Sequence, residues 1–429
     1  MERGGRGRRR KKRHLEIRSK SEPNNFPNIP QEIILEILSR LTHDSLCRLR
    51  CVSKEWSSLI SDSNLITLSK RQKVLVMSHL YDRSLSFQSI AQQCSVEKVQ
   101  TPWENLDVRH GLVHIYGSCN GLFLLGIKVD LYLWNPLNGY FKKVLSYHQL
   151  TVRSPITSGL CYDSSTNGYK AIMALCPFDP SDGKFTMVGN FRRKYWKEVC
   201  FPSNTGAVHS GPILNGQLHW FARNTDYVLT HCIISFDPRV DEFKKVPMPK
   251  LPEDRNKFIL LGLGVLDGCL CMIRHRQRKT QVWVMEAYGV QKSWNVRFVI
   301  SSTFRVSSII QLLCCTKDGE VLMSEHTGYG GGRVNAYNSN GDFCRAVPRD
   351  PSSCTMAAMA YEESLVEPKD YTWENEERSG IATYVEHFLS ASPRKMIKGK
   401  EDSTWDYLDP EAKGAQGTQK KRSLKRNRQ

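Results

Sequence analysis

Twelve histidines and fourteen cysteines are the residues of this chain best suited to hold a metal or attack a substrate. Their spacing argues for neither. No Cys-x-x-Cys pair occurs. Cys269 and Cys271 are two apart, and Cys314 and Cys315 are adjacent in an apolar run, neither of which is the usual zinc spacing. The histidines are dispersed and form no His-Glu-x-x-His helix. No Gly-x-Ser-x-Gly elbow and no Cys/His couple marks a nucleophile. The run Gly328-Tyr329-Gly330-Gly331-Gly332 has the glycine content of a phosphate cradle. It lacks the following Lys-Ser/Thr, and strand-like runs flank it, so it reads as a hairpin turn. No catalytic residue, metal ligand or cofactor is therefore assigned. An enzyme with ionisable side chains gathered from distant positions stays open as an alternative.

Charge is the second chemical signal. The formal net charge is +18, but residues 1–20 contribute +8 and residues 420–429 contribute +6, so 14 of the 18 charges sit at the two ends. The candidates for nuclear import or for phosphate contact are Arg8, Arg9, Arg10, Lys11, Lys12 and Arg13, with Lys420, Lys421, Arg422, Lys425 and Arg426. The middle is near neutral, so the basic balance describes tails and not a nucleic-acid-binding face. The tryptophans and two Phe-Lys-Lys-Val runs also suggest a basic-aromatic surface for bases. The competing reading is that the aromatics fill the cores between packed sheets, with His219 beside Trp220 packed there too.

These residues need elements to position them. Residues 1–25 and 368–429 are polar and basic and read as disordered tails, apart from a short helical spacing over 381–389. The longest apolar stretch, Ile259 to Ile273, is broken by Asp267, so no membrane segment is expected. The absence of an N-x-Ser/Thr sequon and of an apolar leader agrees with a reducing compartment, nucleus and cytoplasm.

Residues 28–62 read as two short amphipathic helices. One stripe holds Ile33, Ile34, Ile37, Leu38 and Leu41. The other holds Leu46, Leu49, Val52, Trp56, Leu59 and Ile60. Pro30 suits a first helical turn, and Thr42 or Asp44 is placed to cap the second helix. Helices this short must bury their stripes, but periodicity does not distinguish a core from an interface.

The run Ile29-Pro30, Glu32-Ile33-Ile34, Glu36-Ile37-Leu38, Arg40-Leu41, Ser45-Leu46, Arg48, Arg50-Cys51-Val52, Ser53-Lys54, Trp56, Leu59-Ile60 closely resembles an F-box over its whole length. It departs at Thr42, where the family usually has proline, and at Ser53, often cysteine in plant members. The resemblance implies a three-helix-type module at 26–68. It further implies docking on the Skp-family adaptor of a cullin–RING ubiquitin ligase, through Ile29, Pro30, Ile33, Ile34, Leu38, Leu41, Leu46, Val52 and Trp56. A charge at Leu38 or Ile34 is then expected to abolish docking while the rest of the chain still folds.

From residue 72 the apolar period becomes that of strands. Turn dipeptides stand at Asn120-Gly121, Asn167-Gly168, Asn215-Gly216, Asp267-Gly268 and Asp318-Gly319, at intervals of 47, 48, 52 and 51. Each is followed by an apolar run, a second strand and a third strand opened by an aromatic: Phe141, Trp196, Phe243, Trp294 and Phe343. Asn135-Pro136 with Phe141-Lys142-Lys143-Val144 recurs 102 residues later as Asp237-Pro238 with Phe243-Lys244-Lys245-Val246. A period of about fifty predicts a β-propeller of about six blades, kelch-like in length. The segment 72–118 and the end 345–361 together supply the sixth blade.

This region resembles the F-box-associated interaction domain of plant F-box proteins. The matching residues are Ser118-Cys119-Asn120-Gly121-Leu122, Trp134-Asn135-Pro136, Gly159-Leu160-Cys161-Tyr162-Asp163, Tyr169-Lys170, Asn215-Gly216-Gln217-Leu218-His219-Trp220, Ile234-Ser235-Phe236-Asp237, Trp283-Val284-Met285 and Tyr361-Glu362-Glu363-Ser364-Leu365. The expected fold is mainly β with a small N-terminal α module: an F-box at 26–68, a propeller at 72–367 and basic tails. The resemblance implies a non-catalytic receptor of an SCF-type ligase, whose propeller captures a protein it does not name. The rival class is a nuclear nucleic-acid-associated protein using its basic arms.

Overall fold

The computed structural model describes residues 29–41, 43–60, 72–80, 84–103, 113–128, 130–146, 157–175, 185–200, 206–207, 211–223, 231–249, 259–276, 279–300, 309–326, 332–348 and 353–368. Both basic runs, the helical spacing at 381–389 and residues 328–331 of the glycine-rich run lie outside them.

Three helices open the described chain: α1 (Gln31–Arg40), α2 (His43–Arg50) and α3 (Lys54–Ile60). Pro30 is the N-cap of α1 and not its first residue. Its carbonyl accepts the N–H of Ile33 at 3.0 Å and of Ile34 at 3.2 Å. A proline is harmless at this end, because no intrahelical acceptor awaits its missing N–H. The second stripe is two helices and not one, since Cys51, Val52 and Ser53 interrupt it. Ser53 restarts the helix. Its hydroxyl accepts the N–H of Trp56 at 3.2 Å and its carbonyl that of Ser57 at 3.0 Å. Asp44 falls inside α2 and Thr42 lies outside the described residues.

The rest of the described chain is almost entirely strand. The elements are β1 (Gln72–Leu80), β2 (Leu85–Ala91) and β3 (Val96–Lys98), then β4 (Val113–Cys119), β5 (Leu122–Ile127), β6 (Asp130–Trp134) and β7 (Phe141–Ser146). Next come β8 (Thr157–Asp163), β9 (Gly168–Leu175), β10 (Phe185–Asn190) and β11 (Tyr195–Val199), then β12 (Gly206–Ala207), β13 (Ile213–Leu214), β14 (Gln217–Arg223), β15 (His231–Asp237) and β16 (Glu242–Val246). The last are β17 (Ile259–Leu266), β18 (Cys269–Arg276), β19 (Lys279–Met285), β20 (Trp294–Ile300), β21 (Ile309–Cys315), β22 (Val321–His326), β23 (Arg333–Tyr337), β24 (Phe343–Ala346) and β25 (Ser353–Glu362).

They form six antiparallel sheets, the blades of a propeller. Five blades are consecutive: β4 to β7, β8 to β11, β12 to β16, β17 to β20 and β21 to β24. In each, the Asn/Asp-Gly dipeptide lies in the hairpin between the innermost strand or strand pair and the next one. At Asn120-Gly121, Asn215-Gly216 and Asp267-Gly268 both residues have positive φ, between 49° and 77°. Such mirror-image turns match the right-handed twist of the strands they join.

The sixth blade has the order β25-β1-β2-β3. Its inner strand comes from the far end of the propeller and pairs with β1 from Gln72↔Glu362 to Leu80↔Ser353. No hairpin turn joins these two strands, which is why the turn signal appears five times for six blades. The ring is closed by hydrogen bonds between its two ends.

Neighbouring inner strands run parallel around the axis. A Cβ on Gly262 would meet the carbonyl oxygen of Ile310, and one on Gly264 would lie 2.5 Å from Leu312 Cβ, so two steps on one strand match two steps on the next. Ser158 Oγ donates to Tyr116 O at 3.0 Å, repeating the contact between β8 and β4. Apolar cores fill the seams between blades. Phe87, Trp103, Phe123 and Trp134 meet edge-on or tilted between the sixth blade and the β4–β7 blade, with centroids 5.0 to 5.9 Å apart. Trp220 packs with Phe236 and Leu218 at another seam and donates its Nε1–H to Ser158 O at 3.0 Å.

Candidate functional site

The apolar residues of the helical module divide between two faces. Leu35, Leu38, Leu46 and Ile60 are buried together, with Ile34, Leu41, Leu49, Trp56 and Leu59 packed around them. Three helices of 10, 8 and 7 residues have no stability without such a core. The other face is open. Ile29, Ile33 and Ile37, spaced four apart, are 45%, 50% and 51% exposed, and Val52, in the α2–α3 turn, is 65% exposed. Scattered exposed aliphatics are ordinary, but Ile33 and Ile37 share one face of α1, and Ile29 stands just before its N-cap, which is the spacing of anchors on helices that lie in grooves. Each isoleucine is already half covered, so burying the rest would contribute about 1 kcal/mol apiece. The helix itself is secured at its polar edge, where Arg40 Nη2 lies 2.7 Å from Glu36 Oε1.

This sorts the expected docking residues. Ile29, Pro30, Ile33 and Val52 are exposed, while Ile34, Leu41 and Trp56 are half-buried against the internal core. Leu38, 1% exposed, and Leu46 belong to that core and are not open to a partner in this conformation. A charge at Leu38 would therefore act by unfolding the module and not by blocking its surface. Ile37 joins the open row. Its spacing from Ile33 already placed it there, but the single stripe drawn through Ile33, Ile34, Ile37 and Leu38 merged two faces.

The propeller explains the remaining chemical signals by packing. His219 is fully buried, with Nε2 2.7 Å from the hydroxyl of Tyr288. Burial holds it neutral, at about 4, outweighing backbone hydrogen bonds that favour the charged form. The aromatics of the two Phe-Lys-Lys-Val runs are not presented to solvent as stacking platforms. Phe141 stacks on Tyr132 at 4.6 Å, and Phe243 packs on Phe236 at 4.9 Å. Gly332, the end of the glycine-rich run, pairs with Thr355 as an isolated bridge.

The most concentrated buried charge is also structural. Lys170 Nζ, on β9, lies 2.9 Å from Asp163 Oδ2 and 2.8 Å from Asp241 Oδ1, and donates to Pro238 O at 2.5 Å. It thus ties one blade to the 3–4 hairpin of the next. Burial pushes the Asp163 carboxyl up, but hydrogen bonds from Ser165, Lys170 and Thr166 win and hold it at about 2. No group of three or more His, Cys, Asp or Glu side chains converges to hold a metal among the described residues. None of the described helices is long and apolar enough to cross a membrane.

Comparison with known proteins agrees with this division. Residues 26–68 match the F-box domain, and residues 65–367 match the F-box associated beta propeller domain. An F-box/kelch-repeat protein of Arabidopsis thaliana is 30% identical over 367 residues, covering 80% of this chain and 96% of its own length. The F-box protein CPR1 of Arabidopsis thaliana is 26% identical over 341 residues, covering 69% of this chain and 79% of its own.

Proposed function

The chain belongs to the plant-type F-box proteins with an F-box-associated β-propeller, and from that premise we propose that it is the substrate-recognition subunit of an SCF-type ubiquitin ligase. In this reading α1 docks on a Skp-family adaptor, and through it on a cullin–RING assembly. The propeller holds a target protein. The subunit supplies no catalytic group. Its contribution is to make ubiquitin transfer effectively intramolecular, through raised local concentration and fixed orientation. The target is captured by loops of the propeller, which are free to vary on a rigid scaffold. The basic runs direct the receptor to the nucleus as well as the cytoplasm.

The observation that carries the adaptor role is the exposed pair Ile33 and Ile37 on α1, with exposed Ile29 just before its N-cap, on a helix whose opposite face is already closed by its own core. The test is binding of the full chain to a Skp-family adaptor, compared with Ile33→Glu and Ile37→Glu. Each variant places a carboxylate where an apolar contact should form, so binding should weaken by two orders of magnitude or more, about 3 kcal/mol. Both positions are solvent-exposed, so melting of the isolated variants should match the parent. Undiminished binding by both variants would overturn the docking assignment.

A further inference from the structure

The six residues after the closing strand β25 form no regular element, yet nearly all of them are held. Glu363 Oε1 lies 2.7 Å from Lys73 Nζ on β1. Ser364 Oγ donates to the carbonyl of Asn120, at the tip of the β4–β5 hairpin. Asn135 Nδ2 donates to Ser364 O at 2.9 Å and to Val366 O at 3.1 Å. Tyr140 Oη donates to Pro368 O at 2.9 Å. Gly121 makes room for this path, since a Cβ there would come 2.9 Å from Ser364 N. One blade therefore grips the backbone of the segment at three carbonyls.

Two side chains among these grips reach the helices. Leu365 packs against the internal core of the helical module, beside Leu35, Leu38, Leu46 and Ile60. Glu367 Oε1 lies 3.9 Å from Arg50 Nη1 at the end of α2 and accepts from Asn138 Nδ2 at 3.2 Å. An extended segment sends successive side chains to opposite sides, so it can bind a blade on one side and the helices on the other.

We infer that residues 363–368 are a strut that fixes the angle between the adaptor-docking module and the propeller, with Leu365 as its positioning residue. The same strand that closes the ring thereby couples the two modules. The purpose rests on the ligase-receptor reading: a target held at a set distance from the adaptor presents its lysines to a fixed point in space. The coupling itself does not depend on that reading.

The experiment uses the full chain with spin labels carried on unnatural side chains at the exposed positions Ser58 and Lys292, leaving the native cysteines in place. The parent should give one narrow distance distribution. Leu365→Asp should broaden it several-fold, and Leu365→Met should restore it. Asn135→Ala cuts the same strut from the blade side, away from the helical core, and should broaden it as well. Melting of the propeller should stay within a few degrees in the two Leu365 variants and fall further in Asn135→Ala, whose buried side chain also accepts the Leu137 N–H at 3.0 Å, while the propeller stays folded at the temperature of the measurement. A distribution as narrow as the parent's in both Leu365→Asp and Asn135→Ala would overturn the inference. No adaptor is present in this measurement, so its failure is separate from failure of the adaptor-binding test.

Discussion

His219 and Asp163 give the propeller two acid-sensitive steps, because their environments shift them for opposite reasons. Burial disfavours the charged imidazole and holds His219 at about 4, against an ordinary value of 6.5. Between those values the unfolded chain binds a proton that the folded chain refuses. The stability from this group is therefore full above pH 6.5 and is lost progressively as pH falls to 4. On the order of 2 kcal/mol should disappear between pH 7 and pH 4.5. Asp163 differs in that its bonds favour the charged form. Held at about 2 instead of 3.8, it contributes above pH 4 and loses that contribution as pH falls through 2. Urea unfolding as a function of pH should show both steps. His219→Gln should flatten the first and spare the second, and Asp163→Asn should do the reverse. A His219→Gln profile that still falls between pH 6.5 and 4 would remove this histidine as the cause. In the sequence His219 stood out only beside Trp220, and Asp163 only in the run Gly159 to Asp163. Their titration was not legible, because it depends on what the fold stacks on them: Tyr288 on one, Lys170 on the other.

Among elements, the hairpins and the inner strands make different demands on glycine. Gly268 has φ +74° with open space around its Cα, whereas Gly262 lies against the backbone of the neighbouring inner strand. Gly268→Ala meets only a conformational penalty, about 1 kcal/mol. In Gly262→Ala the new methyl falls on the carbonyl of Ile310, so two blades must separate or the strand must shift; a cost above about 2 kcal/mol is expected. Chemical denaturation of the two variants should rank them in that order, and the reverse order would show that the seam yields easily. The same contrast explains what could be read from sequence. A turn announces itself locally by Asn-Gly or Asp-Gly, so five blades and their period were legible. The innermost strands are marked by small residues whose need arises only from a neighbour some fifty residues away, so they were not assigned as a series. The helices were legible in their apolar positions, but Leu35 and Ile33 differ only in which neighbours surround them. The segment after β25 gave only Leu365 and Val366, the first of them ending the matching run from Tyr361, with no period to say what either packs against.

Taken as a whole, the molecule has a near-neutral fold with positive charge confined to its ends, and this separates the two functional classes experimentally. Residues 1–20 and 420–429 carry 14 of the 18 formal charges. Five of the tryptophans are packed inside the fold: Trp134 and Trp220 are fully buried, and Trp103, Trp196 and Trp294 nearly so. Duplex binding through the basic ends is then expected to be electrostatic. Such binding falls steeply with salt, because each neutralised phosphate releases a condensed counterion, with a slope of log K against log salt near −0.9 per contact. Deleting both tails should abolish duplex binding by the full chain and leave adaptor binding within about twofold, or roughly 0.4 kcal/mol. Ile33→Glu should give the mirror image: adaptor binding lost, duplex binding and its salt slope unchanged. A tailless chain that still binds duplex in a salt-steep manner would place a nucleic-acid surface on the propeller itself. It would also give the nuclear reading precedence over the ligase-receptor reading. The two variants act on separate parts of the molecule, so each outcome is attributable to one of them.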